Sequence, residues 1–313
     1  MKKILLIGEP MALLIAEKVG PLEEIENFKR SLSGAEVNVC IGLTRLNHQS
    51  IYITRLGEDP FGYYIKNFLD KENISTRFIE FDKVYKTGIQ LKSKVLTGDP
   101  VAPYYRKGSA ASNLSVSDIN AIDFDGVGYV HITGIPPALS ASCRQATYRL
   151  MERAAEHEAL ITFDPNMRPA LWQSEEEMVK ITNDLASKAD IVMPGVEEGK
   201  VLAGTGEPGE IADFYTEMGV KKVIIKIGPK GAYVRENGES YIVDGFKVDN
   251  VVDTVGAGDG FAVGVISAIV EGLPLNEAVK RGNAVGAIQV AHPGDNEGLP
   301  TRLQLEKFIK EHQ

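Results

Sequence analysis

Apolar residues along this chain fall into short continuous runs and into longer stretches with a helical period. Residues 4–7 form a run without a polar residue, which is typical of a strand buried on both faces of a parallel sheet. Predicted strands at 129–133, 160–163, 191–193 and 222–227 alternate with predicted helices at 140–156, 174–187 and 211–218. This alternation predicts an α/β fold built on a parallel, doubly wound sheet.

Local signals indicate where two helices begin. Asp59 can cap a helix whose first residue is Pro60, because proline lacks the N–H group that would be unpaired there. Ser174 and Glu177 have the spacing of a capping box, in which each side chain binds the backbone N–H group of the other residue. The last predicted helix, at 302–312, is amphipathic.

Two stretches do not follow the alternation and are predicted to form a small sheet of their own. Residues 11–33 mix apolar and charged residues, and β-like pieces lie at 87–91 and 103–106. The turn Thr97-Gly98-Asp99-Pro100 separates those two pieces. We therefore expect a discontinuous β lid at 11–33 and 84–108 and an α/β core made of residues 1–10, 34–83 and 109–313.

The composition is that of an ordinary globular protein, with 43% apolar and 25% charged residues. The formal net charge of −9 and the lack of a basic cluster in the sequence argue against a nucleic-acid partner. No run approaches the roughly 18 apolar residues of a membrane span, and the short run after Met1 is interpreted as a strand. Cys40 and Cys143 lack metal or redox spacing, so we expect reduced thiols in a cytoplasmic protein.

The strongest chemical signal lies at 253–261. Small residues at Gly256, Ala257 and Gly258 precede an apolar helix, so their amides would point outward where the helix dipole favours an anion. Asp259 follows directly, and a carboxylate beside an anion site is suited to take a proton from an attacking hydroxyl group. As an alternative, Asp259 is only a cap of the helix.

Other candidates follow the ends of strands, where the ligands of parallel sheets collect. The turn that contains Lys226, Gly228 and Gly231 is either the wall of a nucleotide pocket or an ordinary β-turn. The first strand is followed by Gly8-Glu9-Pro10-Met11, which lacks the G-x-G-x-x-G fingerprint of dinucleotide-binding dehydrogenases. The sequence also lacks the P-loop motif, so neither of those enzyme classes is expected.

Three further pairs combine small, polar, aromatic or cationic residues that could bind a substrate. They are Gly34 with Asn38, Tyr104 with Arg106, and Asp164 with Arg168. An asparagine amide can both donate to and accept from hydroxyl groups, and an arginine can bind a carboxylate through two parallel hydrogen bonds. Each pair also has a structural alternative: a surface asparagine, a cation that protects an exposed β edge, or an Asp–Arg pair that holds a loop.

In their order along the chain, the motifs at 34–38, 57–62, 226–231 and 253–261 resemble those of the ribokinase-like (phosphofructokinase-B type) carbohydrate kinases. The resemblance covers essentially the whole chain. Residues 104–110 and 164–168, with Leu171-Trp172, make it most similar within that family to 2-keto-3-deoxygluconate kinases. It implies a ribokinase-like three-layer αβα core with a mostly parallel sheet, plus a small β-sheet lid.

The resemblance also implies roles for individual residues. Asp259 would be the catalytic base, and the amides of Gly256, Ala257 and Gly258 would bind the phosphoryl group during transfer. The substrate would be bound by Gly34, Asn38, Gln90, Tyr104, Arg106, Asp164, Arg168 and Asp259, and ATP by Glu198, Lys226, Gly228, Gly231, Gly256, Gly258 and Asn283. Mg²⁺ would be held by the ATP phosphates, with Glu198 reaching it through water, and some members also use a monovalent cation.

The chain departs from the family pattern at several positions. Where many of these kinases have an aspartate after the first strand, this chain has Ala12-Leu13, which argues against ribokinase, fructokinase and adenosine kinase activities. Ser33 replaces the first glycine of a pair, and Gly195 replaces the asparagine of the Asn-x-x-Glu motif. Gln90 stands where a substrate-facing tyrosine is expected.

The expected activity is ATP-dependent phosphorylation of the terminal hydroxyl of a sugar acid, in particular of 2-keto-3-deoxygluconate to its 6-phosphate. In this interpretation Arg106 and Arg168 attract the substrate carboxylate, and copies of the chain pair through the lid. Two alternatives stay open: a kinase of a neutral sugar such as fructose, and a non-catalytic sugar or nucleotide sensor with the same fold. The sequence does not separate the gluconate substrate from its galactonate epimer.

Overall fold

The computed structural model describes residues 2–95 and 100–312. Its strands are β1 (Lys3–Ile7), β2 (Met11–Val19), β3 (Phe28–Ser33), β4 (Ser50–Gly57), β5 (Ser75–Asp82), β6 (Ile89–Lys94), β7 (Tyr104–Tyr105), β8 (Val127–Thr133), β9 (Leu160–Asp164), β10 (Ile191–Val192), β11 (Lys222–Lys226), β12 (Gly231–Glu236) and β13 (Glu239–Asp244). Its α-helices are α1 (Ala35–Arg45), α2 (Pro60–Lys71), α3 (Val116–Asn120), α4 (Pro136–Leu139), α5 (Ala141–Glu156), α6 (Glu175–Ala186), α7 (Val196–Leu202), α8 (Pro208–Glu217), α9 (Ala257–Val270), α10 (Leu275–Val290) and α11 (Arg302–Glu311). In these two ranges no helix is long and apolar enough to cross a membrane.

The main sheet has the strand order β13-β12-β11-β10-β9-β8-β1-β4-β5. From β11 to β5 all neighbours run parallel, and β12 and β13 form an antiparallel hairpin at the edge. The mostly parallel sheet predicted from the sequence is thus confirmed. The chain order changes direction between β1 and β8, and ligands of such sheets bind in the crevice at the carboxyl ends of strands near that point.

The apolar run of β1 explains why the core has three layers. Side chains alternate along a strand, so Ile4 and Leu6 face one side of the sheet while Leu5 and Ile7 face the other, and all four are fully buried. Helices α1, α2, α9, α10 and α11 pack on the first side, and α3, α5, α6 and α8 pack on the second. This arrangement is the αβα core expected from the sequence.

A second sheet has the strand order β3-β2-β6-β7. It lies at the carboxyl end of β1, because only three residues separate β1 from β2 and β3 leads directly into Gly34 and α1. The strand predicted at 87–91 is β6, which begins and ends later, and the piece predicted at 103–106 is the shorter β7. Thr97, Gly98 and Asp99 of the predicted intervening turn lie outside the described residues.

The predicted cap of α2 is confirmed, and so is one of the two hydrogen bonds in the predicted capping box of α6. The carboxylate of Asp59 accepts hydrogen bonds from two backbone N–H groups in the first turn of α2, at 3.0 and 2.8 Å. Ser174 accepts from the N–H group of Glu177 at 3.1 Å. The carboxylate of Glu177, however, accepts from Arg144 on α5 at 2.8 Å, so the reciprocal half of the predicted capping box is wrong.

Candidate active site

A cleft of about 1100 Å³ lies at the carboxyl ends of the main-sheet strands, beside the second sheet. Glu9 follows β1 into it, and the second sheet contributes Gln90 and Lys92. The sequence-predicted residues that line it are Gly34, Asn38, Gln90, Tyr104, Arg106, Asp164, Arg168, Glu198, Lys226, Gly228, Gly256, Gly258 and Asp259. Residues that are far apart in the sequence therefore meet at the edge where ligands of a parallel sheet collect.

The carboxylate of Asp259 lies in the first turn of α9 and faces the cleft. Its Oδ2 atom accepts a hydrogen bond from Nδ2 of Asn38 at 2.8 Å. Removal from water raises the pKa of Asp259 to about 6; the Asn38 hydrogen bond and the charge of Arg168 oppose this rise. The charges of Asp164 and Asp295 add to it. The carboxylate is therefore mostly ionised at neutral pH, yet basic enough to accept a proton.

Helix α9 begins with an open turn. Its N-cap residue, Gly256, has a φ of 79°, and a side-chain carbon there would lie 2.4 Å from a backbone carbonyl oxygen, so only glycine fits. Among the described residues, the backbone N–H groups of Gly256, Gly258 and Asp259 have no hydrogen-bond acceptor. The N–H group of Ala257 donates to the carbonyl of Thr254 at 3.3 Å. Free amides at the positive end of a helix favour an anion.

The alternative role of Asp259 as a helix cap is wrong. No side chain in the described ranges forms a capping hydrogen bond at the start of α9, and Asp259 lies inside the helix, three residues after its N-cap. Its carboxylate is held by the side chain of Asn38 instead. Asp259 is thus oriented by a group from a different helix, α1, and points toward the cleft.

Lys226 and Asp164 form an ion pair at the floor of the cleft. The Nζ atom of Lys226 lies 2.9 and 2.8 Å from the two carboxylate oxygens of Asp164. Burial by itself would lower the pKa of Lys226, but the charges of Asp164, Glu198 and Asp259 together outweigh that effect and raise it, so the ammonium stays charged. A side-chain carbon at Gly258 would lie 3.9 Å from this Nζ atom. An anion at the open turn of α9 would therefore meet an ammonium group as well.

Arg168 does not pair with Asp164, so the structural alternative of an Asp–Arg pair that holds the loop is wrong. Asp164 pairs with Lys226 instead. The Nη1 atom of Arg168 donates to the carbonyl of Met167 at 2.8 Å, and the side chain is exposed at the cleft. Its guanidinium is therefore available to a ligand.

Arg106 has a different environment from Arg168, because it is buried against Glu9. Its Nε atom donates to Oε2 of Glu9 at 2.6 Å, and the hydroxyl of Ser109 donates to the other carboxylate oxygen. Glu9 thus neutralises the charge that the sequence analysis expected Arg106 to offer to a substrate. The ring centre of the half-exposed Tyr104 lies 5.6 Å from the Arg106 guanidinium carbon, so these two side chains form one wall of the cleft.

Two polar side chains that line the cleft, Gln90 and Asn38, are each held by a hydrogen bond to a neighbouring polar side chain. The Oε1 atom of Gln90 accepts from the hydroxyl of Ser33 at 2.6 Å. Nδ2 of Asn296 donates to Oδ1 of Asn38 at 3.2 Å, which fixes the orientation of the Asn38 amide toward Asp259. These contacts pre-organise groups that can bind hydroxyls.

A second cavity, of about 710 Å³, adjoins the cleft at the start of α9. Lys226, Gly228, Thr254 and Gly258 line both. Ala257, Gly231 and Asn283 line the second cavity, together with apolar side chains. Nδ2 of Asn283 donates to two backbone carbonyls at the end of β13, each at 3.0 Å, so its amide supports the cavity wall. The two cavities together form a polar space that continues into a more apolar one.

Glu198 lies in the first turn of α7 and ties two loops together. Its carboxylate oxygens accept from the backbone N–H groups of Gly195, at 2.7 Å, and Met167, at 3.0 Å. Among the described residues there is no group of three or more His, Cys, Asp or Glu side chains placed to hold a metal ion. The carboxylate of Glu198 at the cleft fits a hydrated Mg²⁺ ion that is carried by a nucleotide.

Three buried charged residues that line the cleft are absent from the sequence-predicted set. They are Glu9, Lys92 and Asp295. Lys92 could have been found from the two-residue period of β6, because it shares a face with Gln90. Glu9 is the second residue after β1, at a position where ligands collect. Asp295 lies in a loop after α10 and belongs to no motif that the sequence analysis identified.

Residues 1–302 match the model of the pfkB family carbohydrate kinases. The chain belongs to this family. A 2-dehydro-3-deoxygluconokinase of Bacillus subtilis (strain 168) is 46% identical to this pfkB kinase over 303 residues, which cover 96% of this chain and 94% of that protein. A 2-dehydro-3-deoxygluconokinase of Thermoproteus tenax is 32% identical over 313 residues, which cover 99% and 95% of the two chains.

Solved structures share the fold of this pfkB kinase. The crystal structure of a PfkB protein from Polaromonas sp. JS666 has a TM-score of 0.90 and 43% identity, and the match covers 98% of this chain and 99% of that chain. Fructokinase from Vibrio cholerae O395, in its fructose, ADP and calcium ion bound form, has a TM-score of 0.88 and 26% identity, with 99% of each chain covered. The predicted fold class is therefore confirmed.

A buried carboxyl group of this kinase lies behind the cleft, on α1. Glu36 accepts a hydrogen bond from the hydroxyl of Thr133, and its Oε2 atom has no partner among the described residues. Burial raises the pKa of Glu36 from its ordinary value of 4.5 to about 7. Between those two values the folded protein holds a proton that the unfolded chain has released. Stability therefore falls as the pH rises through this window.

We expect Glu36→Gln to stabilise the protein at high pH, because glutamine is neutral and matches the shape of the protonated carboxyl group. The free energy of unfolding should exceed that of the wild type by about 3 kcal/mol at about pH 8, and the difference should shrink toward about pH 5. Urea denaturation of the wild type and the variant across this pH range measures the difference in the free energy of unfolding and its change with pH. Glu24→Gln, at an exposed glutamate, is the matched control. A Glu36→Gln difference that does not change with pH would contradict the prediction.

Proposed function

We propose that this kinase is a 2-dehydro-3-deoxygluconokinase, which uses ATP to phosphorylate the terminal hydroxyl of 2-keto-3-deoxygluconate and forms the 6-phosphate. The observation that carries the proposal is the position of Asp259, whose carboxylate lies beside free amides in a cleft that also contains the exposed Arg168. One site thus combines a base with a group that can bind a carboxylate. Similar proteins from Bacillus subtilis and Thermoproteus tenax carry this name.

Asp259 acts as the general base in this proposal. Its pKa of about 6 leaves the carboxylate ionised at neutral pH, so it can accept the proton of the sugar hydroxyl while the hydroxyl oxygen attacks phosphorus. Asn38 donates to Oδ2, which leaves Oδ1 for that hydroxyl. The oxygen–phosphorus bond then joins sugar and phosphoryl group, the proton stays on Asp259, and ADP leaves with the bonding electrons.

The start of α9 stabilises the charge on the transferring phosphoryl group. The free amides of Gly256 and Gly258 lie near the ammonium of Lys226, which Asp164 holds in place. A pre-organised donor of this kind contributes about 10²–10³-fold to the rate. Ala257 joins them only if its N–H group leaves its present carbonyl partner. In-line phosphoryl transfer depends mainly on such positioning and charge stabilisation.

We assign the adjoining cavity to the adenosine part of ATP. Gly228, Gly231 and Asn283 border that cavity, and it joins the cleft at the open turn of α9. When bound, ATP with Mg²⁺ supplies the transferable phosphoryl group and a metal that neutralises part of its charge. Glu198 is placed to contact the hydrated ion. A fructokinase that shares this fold binds ADP and a calcium ion, which supports a nucleotide–metal site.

The other end of the cleft is assigned to the sugar acid. Arg168 is exposed there and can bind the carboxylate through two parallel hydrogen bonds. Arg106 supplies hydrogen-bond donors but little net charge, because Glu9 neutralises it. The residues assigned to the hydroxyl-bearing part of the substrate are Gly34, Asn38, Gln90 and Tyr104. Asp164 acts through Lys226 and not by direct contact with the substrate.

The second sheet is assigned the role of a lid that closes over the sugar acid, excludes water and limits ATP hydrolysis. Pairing of two copies through this sheet stays a prediction, supported by the exposed side chains of Tyr104 and Tyr105 on β7. The cytoplasmic location also stays a prediction.

A kinase of a neutral sugar is the second candidate. The pairing of Arg106 with Glu9 leaves Arg168 as the exposed member of the two arginines expected to attract an anion. A fructokinase from Vibrio cholerae O395 shares the fold and binds fructose. A sensor without catalytic activity is less well supported, because Asp259, Lys226 and the free amides of α9 are arranged for transfer.

A substrate panel tests the proposed function. ADP release is measured with 2-keto-3-deoxygluconate, its galactonate epimer, gluconate, fructose, ribose and adenosine as acceptors. We expect the highest kcat/KM with one of the two keto acids. Asp259→Asn should lower kcat by about 10²–10⁴-fold while ATP still binds, because the base is lost and the amides stay. Highest activity with fructose would replace the proposal by the second candidate, and near-normal turnover by Asp259→Asn would reject Asp259 as the base.

The rate should also depend on the ionisation of Asp259. Removal from water raises its pKa to about 6, so the carboxylate becomes protonated, and cannot act as a base, as the pH falls through that value. We expect kcat/KM for the keto acid, measured at saturating ATP and Mg²⁺, to fall about tenfold for each pH unit below about 6. A rate that stays level down to about pH 5 would contradict this assignment.

Arg168→Ala tests the carboxylate contact. Loss of a charge-assisted hydrogen bond should raise KM for the keto acid about 10- to 100-fold, whereas KM for ATP should change little. Arg77→Ala removes an exposed arginine on β5 and serves as the matched control. If Arg168→Ala raises KM for fructose as much as KM for the keto acid, the side chain does not bind a carboxylate.

A further inference from the structure

Lys92 is a lysine of the second sheet whose ammonium group forms ion pairs inside the protein. It lies on β6, is 6% exposed, and reaches the loops next to α9. Its Nζ atom lies 2.7 Å from Oδ2 of Asp253 and 3.4 Å from Oδ1 of Asp295. Burial alone would lower the pKa of Lys92, but the two carboxylates outweigh that effect and raise it. The ammonium is therefore a charged bridge between the second sheet and the core.

The two carboxylates that Lys92 contacts belong to the loops that shape the open turn of α9. Oδ1 of Asp253 accepts from the N–H group of Val255 at 3.0 Å, and its Oδ2 accepts from that of Gly294 at 3.3 Å. The backbone of Asp295 packs on Gly256, since a side-chain carbon at Gly256 would lie 2.4 Å from the Asp295 carbonyl oxygen. Lys92 thus holds both loops that set the position of the free amides.

The same strand also reaches the sugar end of the cleft. Gln90 and Lys92 are two residues apart on β6, so they face the same side, and both line the cleft. Gln90 accepts from the hydroxyl of Ser33, next to Gly34. Strand β6 therefore places Gln90 at the sugar end of the cleft and Lys92, two residues further along, on the loops beside the start of α9.

We propose that Lys92 is a positioning residue that couples the seating of the sugar acid under the second sheet to the geometry of the open turn of α9. This proposal rests on the function proposed above. When the sheet settles on the substrate, Lys92 draws the loops of Asp253 and Asp295 into the arrangement in which the amides of Gly256 and Gly258 meet the phosphoryl group. Lys92 itself does not touch the reacting atoms.

Lys92→Met removes the charge and keeps most of the length of the side chain. We expect kcat for the keto acid to fall about 10- to 100-fold, because misplaced transition-state donors lose their effect, while KM changes less than about threefold. The matched control is Lys94→Met on the same strand, an exposed lysine whose Nζ donates to the backbone carbonyl of Glu17. A kcat within about twofold of the wild type would overturn the proposal, and so would a change confined to KM.

A binding measurement checks the coupling without turnover. In the wild type the keto acid should tighten the binding of ADP with Mg²⁺, measured by calorimetry, and in Lys92→Met this factor should fall to about one, because coupling between two sites is reciprocal. Lys94→Met should keep the wild-type factor. Wild-type protein that binds ADP equally well with and without the keto acid would overturn the coupling.

Lys92→Ala covers the case in which the methionine variant does not fold. Methylammonium chloride can restore the missing charge, so kcat should recover in that salt relative to sodium chloride at the same ionic strength. Equal rates in both salts would overturn the proposal. Failure of the proposed function gives a different result, since the wild type itself would then show no turnover of the keto acid.

Discussion

The site depends on how several carboxylates share one cleft that must also accept anions. Asp164, Asp259 and Asp295 all line it, and together they would repel a phosphate or a sugar acid. Lys226 neutralises Asp164, and Lys92 lies against Asp295. Asp259 has a neutral amide as its hydrogen-bond donor, and removal from water raises its pKa to about 6, so its carboxylate keeps the basicity that proton transfer needs. The two lysines thus offset part of the negative charge around the cleft.

This balance also explains how a protein with a net charge of −9 can offer a site for anions. The attraction is local: free amides at the positive end of α9, the ammonium of Lys226 beside them, and the guanidinium of Arg168 at the cleft. Fields of this kind act over short distances in a partly water-excluded cleft, where they are stronger than on the open surface. The net charge of the protein therefore does not predict the charge of its ligand, whereas the positions of these amide, ammonium and guanidinium groups do.

The features that could be predicted from the sequence are local ones. The apolar run of β1, the strand–helix alternation and the cap at Asp59 each depend on neighbouring residues, and the open turn before Asp259 depends on three small residues in a row. Partners across the fold could not be predicted. Glu9 and Arg106 are 97 residues apart, and their pairing changes an apparent anion-binding arginine into a neutral wall of donors. The sequence shows which groups exist, and tertiary contacts decide which of them keep their charge.

The loop after β9 links the two ends of the site. Asp164, the last residue of β9, holds Lys226 beside the open turn of α9, and the N–H group of Met167 in the loop donates to Glu198. Arg168 follows directly, with its backbone fixed by those two anchors and its side chain exposed at the cleft. The arginine that we propose to bind the substrate carboxylate is therefore only four positions from Asp164, which orients Lys226. In the proposed function, selection of the substrate and orientation of the phosphoryl group depend on the same short segment, so we expect this loop to be rigid.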